Sequence, residues 1–245
     1  MCIPYTKHKM PTYKYPRPSV TVDVVVFGVD HDDDDTSLKV LLVRRKHPPF
    51  KDKLALPGGF VHMKETLEDA AYRELKEETS IEPASLEQLY TFGQPNRDPR
   101  GRVISSAYMA LVRQTDHHAV AGSDADAICW RTAWNMYPWF DSLAFDHSEI
   151  LKVALERLTA KVRYAPLGFD LLPKFFSISD LHRLYEAILN HPIDKRNFYK
   201  KILSLGMLTP DGKEKTKERG KPARLYSFNS ERYKELTKQG FNFDL

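Results

Sequence analysis

Residues 59–81 read GFVHMKETLEDAAYRELKEETSI, and the spacing of their charges decides the fold. Gly59 is followed by five residues and then Glu65; seven more lead to Arg73-Glu74-Leu75-Lys76-Glu77-Glu78, and Ile81 closes the run. The Thr66 hydroxyl can cap a helix, Glu68 and Asp69 fall in its first turn, and Leu67, Ala70, Ala71 and Leu75 make an apolar stripe. The pattern predicts a helix ending near Thr79. On it Glu74, Glu77 and Glu78 stand at i, i+3 and i+4 and share one face. Three carboxylates in one turn repel each other, and the dipole at a helix C-terminus disfavours anions. A bound divalent cation reverses both penalties. Oxygen-only ligands of this kind suit Mg²⁺ or Mn²⁺, with phosphate oxygens completing the shell.

Around this helix the chain alternates strand and turn. Residues 19–29 are β-branched and nearly continuous, as in a buried strand, and residues 38–45 form a second strand across an acidic loop. Five aspartates between residues 30 and 35 lack the spacing of a calcium loop and read as solvated chain. Residues 54–61 make a strand interrupted by Pro57-Gly58-Gly59. Further strands are expected over 86–93, 102–113 and 127–131, and a second helix from His147 to about Val162 with Ile150, Leu151, Val153, Ala154 and Leu158 inward. The loop before the long strand carries Arg97, Asp98, Arg100 and Arg102 among prolines and glycine. Arginine forks suit a diphosphate and an aspartate suits ribose hydroxyls; a proline-stiffened exposed turn is the competing reading. Arg44 and Arg45, at the end of the second strand, are further candidates.

Residues 163–176 break the pattern with two prolines and a glycine, which predicts a linker. Beyond it, Ser179-Asp180 caps a helix running to Asn190, Asp194 caps a second helix ending at Gly206, and two strands flank a basic loop over 210–223. Helix, tight turn, helix and hairpin is the order of a winged helix-turn-helix over 177–245. The second helix carries Lys195, Arg196, Asn197, Tyr199, Lys200 and Lys201 for base edges and phosphates, with Phe198, Ile202 and Leu203 inward. The wing offers Lys213, Lys215, Lys217, Arg219, Lys221 and Arg224 for phosphate contact.

Composition sets the outer bounds. Hydrophobic residues make up 42% and charged residues 29% of 245, an ordinary globular mix. No apolar run approaches the roughly 20 residues of a membrane helix, so no membrane partner is expected. Two cysteines, Cys2 and Cys129, exclude a disulfide framework and a cysteine zinc site and fit a reducing cytoplasm. The N-terminus has no apolar segment of the kind a secretory signal needs. Basic residues gather at the ends: residues 1–18 carry four and no acid, a basic tail, and residues 191–232 carry eleven against five acids. A neutral-to-acidic middle with basic ends suggests chemistry in one region and a polyanion in the other.

The segment 59–81 resembles the Nudix box: glycine, five residues, glutamate, seven residues, then Arg-Glu-aliphatic-x-Glu-Glu-x-Gly-aliphatic. Every charged position is present; the late glycine is Ser80. A glycine there takes the left-handed conformation freely, and serine costs about 1 kcal/mol to do so. The resemblance implies an α/β/α Nudix sandwich over 19–162 that cleaves nucleoside diphosphates linked to another group. Glu74, Glu77 and Glu78 would be metal ligands and catalytic groups held by Arg73, with ligand contacts at Gly58 and Gly59. Residues 93–108 resemble the corresponding loop of ADP-ribose pyrophosphatases, which implies ADP-ribose as ligand. A Nudix domain followed by FFSISDLHRLYEAILNHPIDKRNFYKKILSLGML and GKPARLYSF resembles the NrtR family of Nudix-related transcriptional regulators. That resemblance implies a homodimeric repressor of NAD metabolism genes that binds a double-stranded DNA operator and responds to ADP-ribose. A Mg²⁺-dependent ADP-ribose pyrophosphatase, alone or combined with repression, is the alternative; a sugar-responsive regulator of a carbohydrate operon is the third.

Overall fold

Strand β1 (Ser19–His31) organises the N-terminal domain. It pairs antiparallel with β2 (Thr36–Arg45) and, at its start, with β4 (Gly58–Phe60), and parallel with β6 (Val103–Arg113). Short β3 (Leu54–Ala55) and β7 (Ala125–Thr132) extend the sheet on β2, and β5 (Glu87–Phe92) closes it on β6. The computed structural model describes residues 14–31, 36–116, 125–134, 140–164, 169–215 and 222–239. The four aspartates at 32–35 and the basic residues at 1–13 lie outside these.

The near-continuous apolar run of β1 has a plain cause: both of its faces are covered. Val22, Val24 and Val26 pack on Ala70, Ala71 and Leu75 of α1 (Leu67–Thr79). Val25, Phe27 and Val29 pack on the other side, with Ile150, Leu151, Ala154 and Leu158 of α2 (His147–Lys161). The result is the expected α/β/α sandwich. Each such valine, leucine, isoleucine or phenylalanine contributes about 1.5–3 kcal/mol by burial.

Helix α1 starts as the sequence predicts. The Thr66 hydroxyl accepts from the Asp69 N–H, and the Asp69 carboxylate accepts from the Thr66 N–H. At the other end Ser80 takes the left-handed conformation, φ 59° and ψ 16°, while its N–H donates to the Lys76 carbonyl. Serine thus adopts the backbone that glycine would adopt without steric cost.

The C-terminal domain follows in the order β8 (Phe176–Ser177), α3 (Ile178–Leu189), α4 (Lys195–Ser204), β9 (Leu208–Lys215), β10 (Ala223–Phe228) and α5 (Ser230–Gln239). The strands form a sheet in the order β8-β10-β9. The cap of α3 is Ser177, not the Ser179-Asp180 pair: its hydroxyl accepts from the Asp180 N–H and the Asp180 carboxylate accepts from the Ser177 N–H. The α3–α4 turn is pinned to α3. Asn190 is left-handed, His182 Nε2 bonds the Ile193 carbonyl at 2.9 Å, and the Ile193 N–H donates to Glu186. Asp194 caps α4 through the Asn197 N–H as expected. Phe198 and Ile202 are buried, but Leu203 is 49% exposed; one residue on from Ile202, it points about 100° away around the helix. Strand β9 continues through Pro210-Asp211-Gly212, where a loop is expected. A left-handed Gly212 and a bulge in β9 itself, where residues 211–213 stand against Leu225 alone, absorb the irregularity. Helix α5, unmarked by a clear apolar period, lays Tyr233 and Leu236 on the core.

Of the segment expected as a linker, Phe169, Leu171, Leu172 and Phe176 pack on the core, while Arg163, Tyr164, Pro173 and Lys174 are exposed. Leu171 and Leu172 are buried, and Phe169 stacks on Phe228 with ring centroids 3.8 Å apart. One apolar core runs without interruption from Val25 and Phe27 through α2 and α3 to Phe198 and Met207. At the seam the Trp134 indole donates to the Ala187 carbonyl of α3 at 2.8 Å.

Replacing Ser80 with glycine removes the left-handed penalty, partly offset by the greater freedom of glycine in the unfolded chain. The Ser80→Gly variant is expected to be more stable by about 0.5–1 kcal/mol, read as a raised midpoint in urea denaturation.

Candidate functional site

On the α2 side of the sheet the apolar run Val25, Phe27, Val29 gives way, toward the start of β1, to Asp23, with Ser105 of β6 on the same face. Helix α2 begins at His147 and leaves this end of the sheet uncovered. A cavity of about 370 Å³ opens there.

Its deepest part is a buried charge network. Asp23 Oδ2 accepts from Ser105 Oγ at 2.5 Å and from Arg97 Nη2 at 3.1 Å, and Asp23 Oδ1 faces His147 Nε2 at 3.4 Å. His147 Nδ1 accepts from the Leu56 N–H at 2.8 Å, so the ring keeps its proton on the side of Asp23. Arg97 also forks onto Asp146, at 2.9 and 2.6 Å. Asp146 precedes α2 and makes no capping bond, because its carboxylate is spent on Arg97. Burial pushes the Asp23 carboxyl up, but His147, Arg97 and Ser105 outweigh it and hold the group at about 2.

The second wall comes from α1. Arg73 forks onto Glu65 at 2.9 and 2.7 Å and reaches Glu74 at 2.7 Å, Glu77 at 3.2 Å and the Phe60 carbonyl at 3.1 Å. The Arg73 hydrogen bonds hold the Glu65 carboxyl at about 2, and burial raises that of Glu74. Both glycines of the turn are needed for close approach. A Cβ on Gly59 would lie 2.4 Å from the Glu74 carboxylate, and one on Gly58 would lie 2.2 Å from the Val22 carbonyl oxygen. The Gly58 N–H donates to Glu78 at 3.0 Å.

The carboxylate trio divides. Glu74 and Glu78 line the cavity; Glu77 does not, its side chain being 61% exposed and tied to Arg73. Glu77 and Glu78 are adjacent and so stand about 100° apart on the helix. Among the described residues no three His, Cys, Asp or Glu side chains are gathered as a ready cation cage. Glu74 and Glu78 fit a hard cation in kind and in place, the usual complement of one or two carboxylates that leaves room for phosphate oxygens.

The expected ligand residues also sort themselves. Gly58, Gly59, Arg97, Asp98 and Arg100 line the cavity. Arg97 is committed to Asp23 and Asp146, and Asp98 is nearly buried and takes a fork from Arg100, so its oxygens are occupied by protein rather than offered to a ribose. Arg44 and Arg102 do not line it: Arg44 donates to the Asp52 carbonyl and Arg102 to the Gly93 carbonyl, both at the surface. Strand alternation turns Arg45 inward instead. Arg45 and Arg100 lie 4.8 and 5.4 Å from the Phe145 ring, and Arg100 lies 4.9 Å from Phe60. Burial and the neighbouring Arg100 lower the Arg45 pKa against the opposing pull of Glu78, Asp98 and Asp23. Asp23, His147, Phe60 and Phe145 are the members that spacing did not single out. An aspartate two residues into a run of valines was the available signal for the first.

The second face is on α4. Lys195, Arg196, Asn197 and Lys200 are exposed in its first two turns, while Phe198 and Ile202 anchor it. Lys201 is half-buried, and Tyr199 is turned inward, its hydroxyl 2.6 Å from Ser179 Oγ on α3. Arg224 is exposed on β10. Lys217, Arg219 and Lys221 lie outside the described residues.

Asp23→Asn removes a buried charge that Arg97 and His147 face. At neutral pH the variant is expected to be less stable by about 2–3 kcal/mol. Because the folded carboxyl is depressed, its contribution is complete above 3.8 and is lost as pH falls through about 2. The stability gap between variant and wild type, read by urea denaturation at pH 7, 4 and 2.5, is expected to close over that window.

Comparison with known proteins places both halves. Residues 17–153 match the model of the NUDIX domain, and residues 168–228 match that of the NrtR DNA-binding winged helix domain. The chain is 34% identical over 227 residues to the ADPR responsive transcriptional repressor NtrR of Acinetobacter baylyi, covering 89% of this chain and 85% of that one. It is similar to the crystal structure of Shewanella oneidensis NrtR complexed with a 27mer DNA, at 32% identity and TM-score 0.75, covering 91% of this chain and 97% of that one. It is also similar to the NUDIX domain of the same protein complexed with ADP ribose, at 35% identity and TM-score 0.53, covering 59% and 90%. A Nudix sandwich whose core continues into a winged helix therefore places this chain in the NrtR family.

Proposed function

We propose that this protein is a cytoplasmic transcriptional repressor that binds an operator through α4 and the wing and is released by ADP-ribose bound in the Nudix cavity. The observation that carries this reading is that β2 runs from the cavity to α3, the helix that supports the recognition helix. Val43 and Arg45, at its end, line the cavity, while Thr36, Ser37 and Leu38, at its start, line the groove against α3, the helix that supports α4. Ligand control requires the DNA-competent and incompetent states to differ in affinity for the ligand. A strand that joins the cavity to the support of the recognition helix is a physical route for that difference. The cationic wall of Arg45 and Arg100 suits the diphosphate, and the Phe60 and Phe145 rings suit flat or apolar ligand surface. The relatives' complexes with DNA and with ADP ribose support the same pairing of partners. Reading two half-sites about 34 Å apart calls for a homodimer.

The intact box favours a second activity in the same cavity. Glu74 and Glu78 would hold Mg²⁺ or Mn²⁺, which supplies an activated water and neutralises phosphate charge. Arg73 keeps Glu74 in place, and the Gly58 N–H orients Glu78. A protein that slowly cleaves its own inducer would reset itself.

One titration tests both readings. Full-length protein is mixed with duplex DNA from its own upstream region, with and without ADP-ribose and Mg²⁺, and AMP release is assayed in the same tubes. Sequence-specific binding released by ADP-ribose is expected. Lys195→Ala/Arg196→Ala is expected to weaken binding at least about tenfold and to flatten the salt dependence by roughly two counterions. Absence of sequence-specific binding at physiological salt would overturn the repressor. Any AMP release is expected to vanish in Glu78→Gln, and turnover unchanged in that variant would exclude this site as the catalyst.

A further inference from the structure

We propose that Leu203 is a base-reading residue of α4, placed to cover the C5-methyl group of a thymine in the major groove of the operator. The inference rests on the reading that α4 enters that groove, and it assigns a residue that the charge pattern of the helix passes over. Apolar spacing predicts Leu203 inward with Phe198 and Ile202, but it is 49% exposed while both of those are fully buried. Tyr199 and Leu205, on either side of it in the chain, pack against the core. Leu203 is thus the one large apolar side chain that α4 holds out to solvent.

Its place on the helix decides what this leucine can meet. Arg196, Lys200 and Leu203 stand at i, i+4 and i+7 and fall within about 60° of one another, on the side away from Phe198 and Ile202. All three are exposed. Helix α4 carries Lys195, Arg196, Lys200 and Lys201 and no acidic residue. Two copies of such a face repel each other, and an apolar protein partner would leave its cations unpaired. A duplex answers both kinds of group. Its phosphates pair with the cations, and the one apolar group on the base edges of the major groove is the thymine methyl. Leu203 lies about 10 Å along the helix axis from Arg196, the rise of roughly three base pairs, so the arginine and the leucine address different steps of one half-site. Covering the leucine with a methyl group removes apolar surface of both from water, a gain available only in the complex.

The test is a set of fluorescence anisotropy titrations of full-length protein on its own upstream duplex at physiological salt. Thymines within the footprint are replaced one at a time by deoxyuridine, which removes the methyl group and nothing else. Wild type is expected to lose about fourfold in affinity at one thymine of each half-site, the worth of one methyl group taken out of water. Leu203→Ala is expected to bind the unmodified duplex about tenfold more weakly and to lose nothing further on those deoxyuridine duplexes. Its salt dependence and melting temperature are expected to match wild type, because the leucine touches no phosphate and supports no core. Leu203→Met, which keeps an apolar chain of similar length, is expected to restore the affinity and the sensitivity to deoxyuridine. Affinity of Leu203→Ala within twofold of wild type would overturn the proposal and leave the repressor reading standing. So would a weakened Leu203→Ala that keeps the wild-type response to deoxyuridine, or one that melts lower. Wild type without sequence-specific binding would overturn the repressor reading and this assignment with it.

Discussion

A single arginine buried against two carboxylates holds the sensing end of this protein together. Arg97 reaches Asp23 in the middle of the sheet and Asp146 at the start of α2. Asp23 in turn faces His147, and His147 accepts from the backbone of the β3–β4 loop. Four separate pieces of chain are therefore fixed around one guanidinium. Such a network contributes less through net stability than through geometry, because desolvation of its charges offsets much of their attraction. Its effect is to keep a polar cavity open at a point where hydrophobic packing alone would favour closing the sheet with more valine and leucine.

The cavity that results has two chemically different walls. Glu74 and Glu78 face it from α1, positioned by Arg73 and by two glycines, of which Gly58 lies against the β1 backbone and Gly59 against the Glu74 carboxylate. Arg45 and Arg100 face it from the other side, spaced by the Phe145 ring. A phosphate ester with its cation satisfies both walls; a neutral sugar satisfies neither, which is the physical argument against a purely sugar-responsive protein. From this cavity β2 runs to α3, and the core is unbroken between them, so the winged helix is mounted on the sensor rather than tethered to it.

Much of this was legible in the sequence because it depends on local rules. The Thr66 cap, the Ala70, Ala71 and Leu75 stripe of α1 and the Asp194 cap each require only neighbours in the chain, and each stands where spacing put it, whereas Leu67, expected on the same stripe, is exposed. The glutamate face was legible as a helix face, but spacing could not tell that Glu77 turns to solvent while Glu74 and Glu78 turn to the cavity. What stayed hidden depends on distant partners. Asp23, Asp146 and His147 acquire meaning only when Arg97 arrives from a loop more than seventy residues beyond Asp23. Arg44 and Arg45 are indistinguishable by composition, and only the pleat of β2 decides which faces inward. Prolines and glycine make the stretch 163–176 read as a linker; Leu171 and Leu172 are buried, and Phe169 is partly buried, by tertiary contacts that composition does not report.

Coupling between two sites is reciprocal: whatever factor ADP-ribose takes from DNA affinity, DNA must take from ADP-ribose affinity. The most direct measurement is therefore calorimetric titration of ADP-ribose into the free protein and into its saturated operator complex, without divalent metal so that no ligand is consumed. Weaker binding to the complex, by the same factor that ADP-ribose weakens operator binding, is the predicted result. Equal affinity for the free and DNA-bound protein would contradict the account, because the cavity and the recognition helix would then be energetically independent.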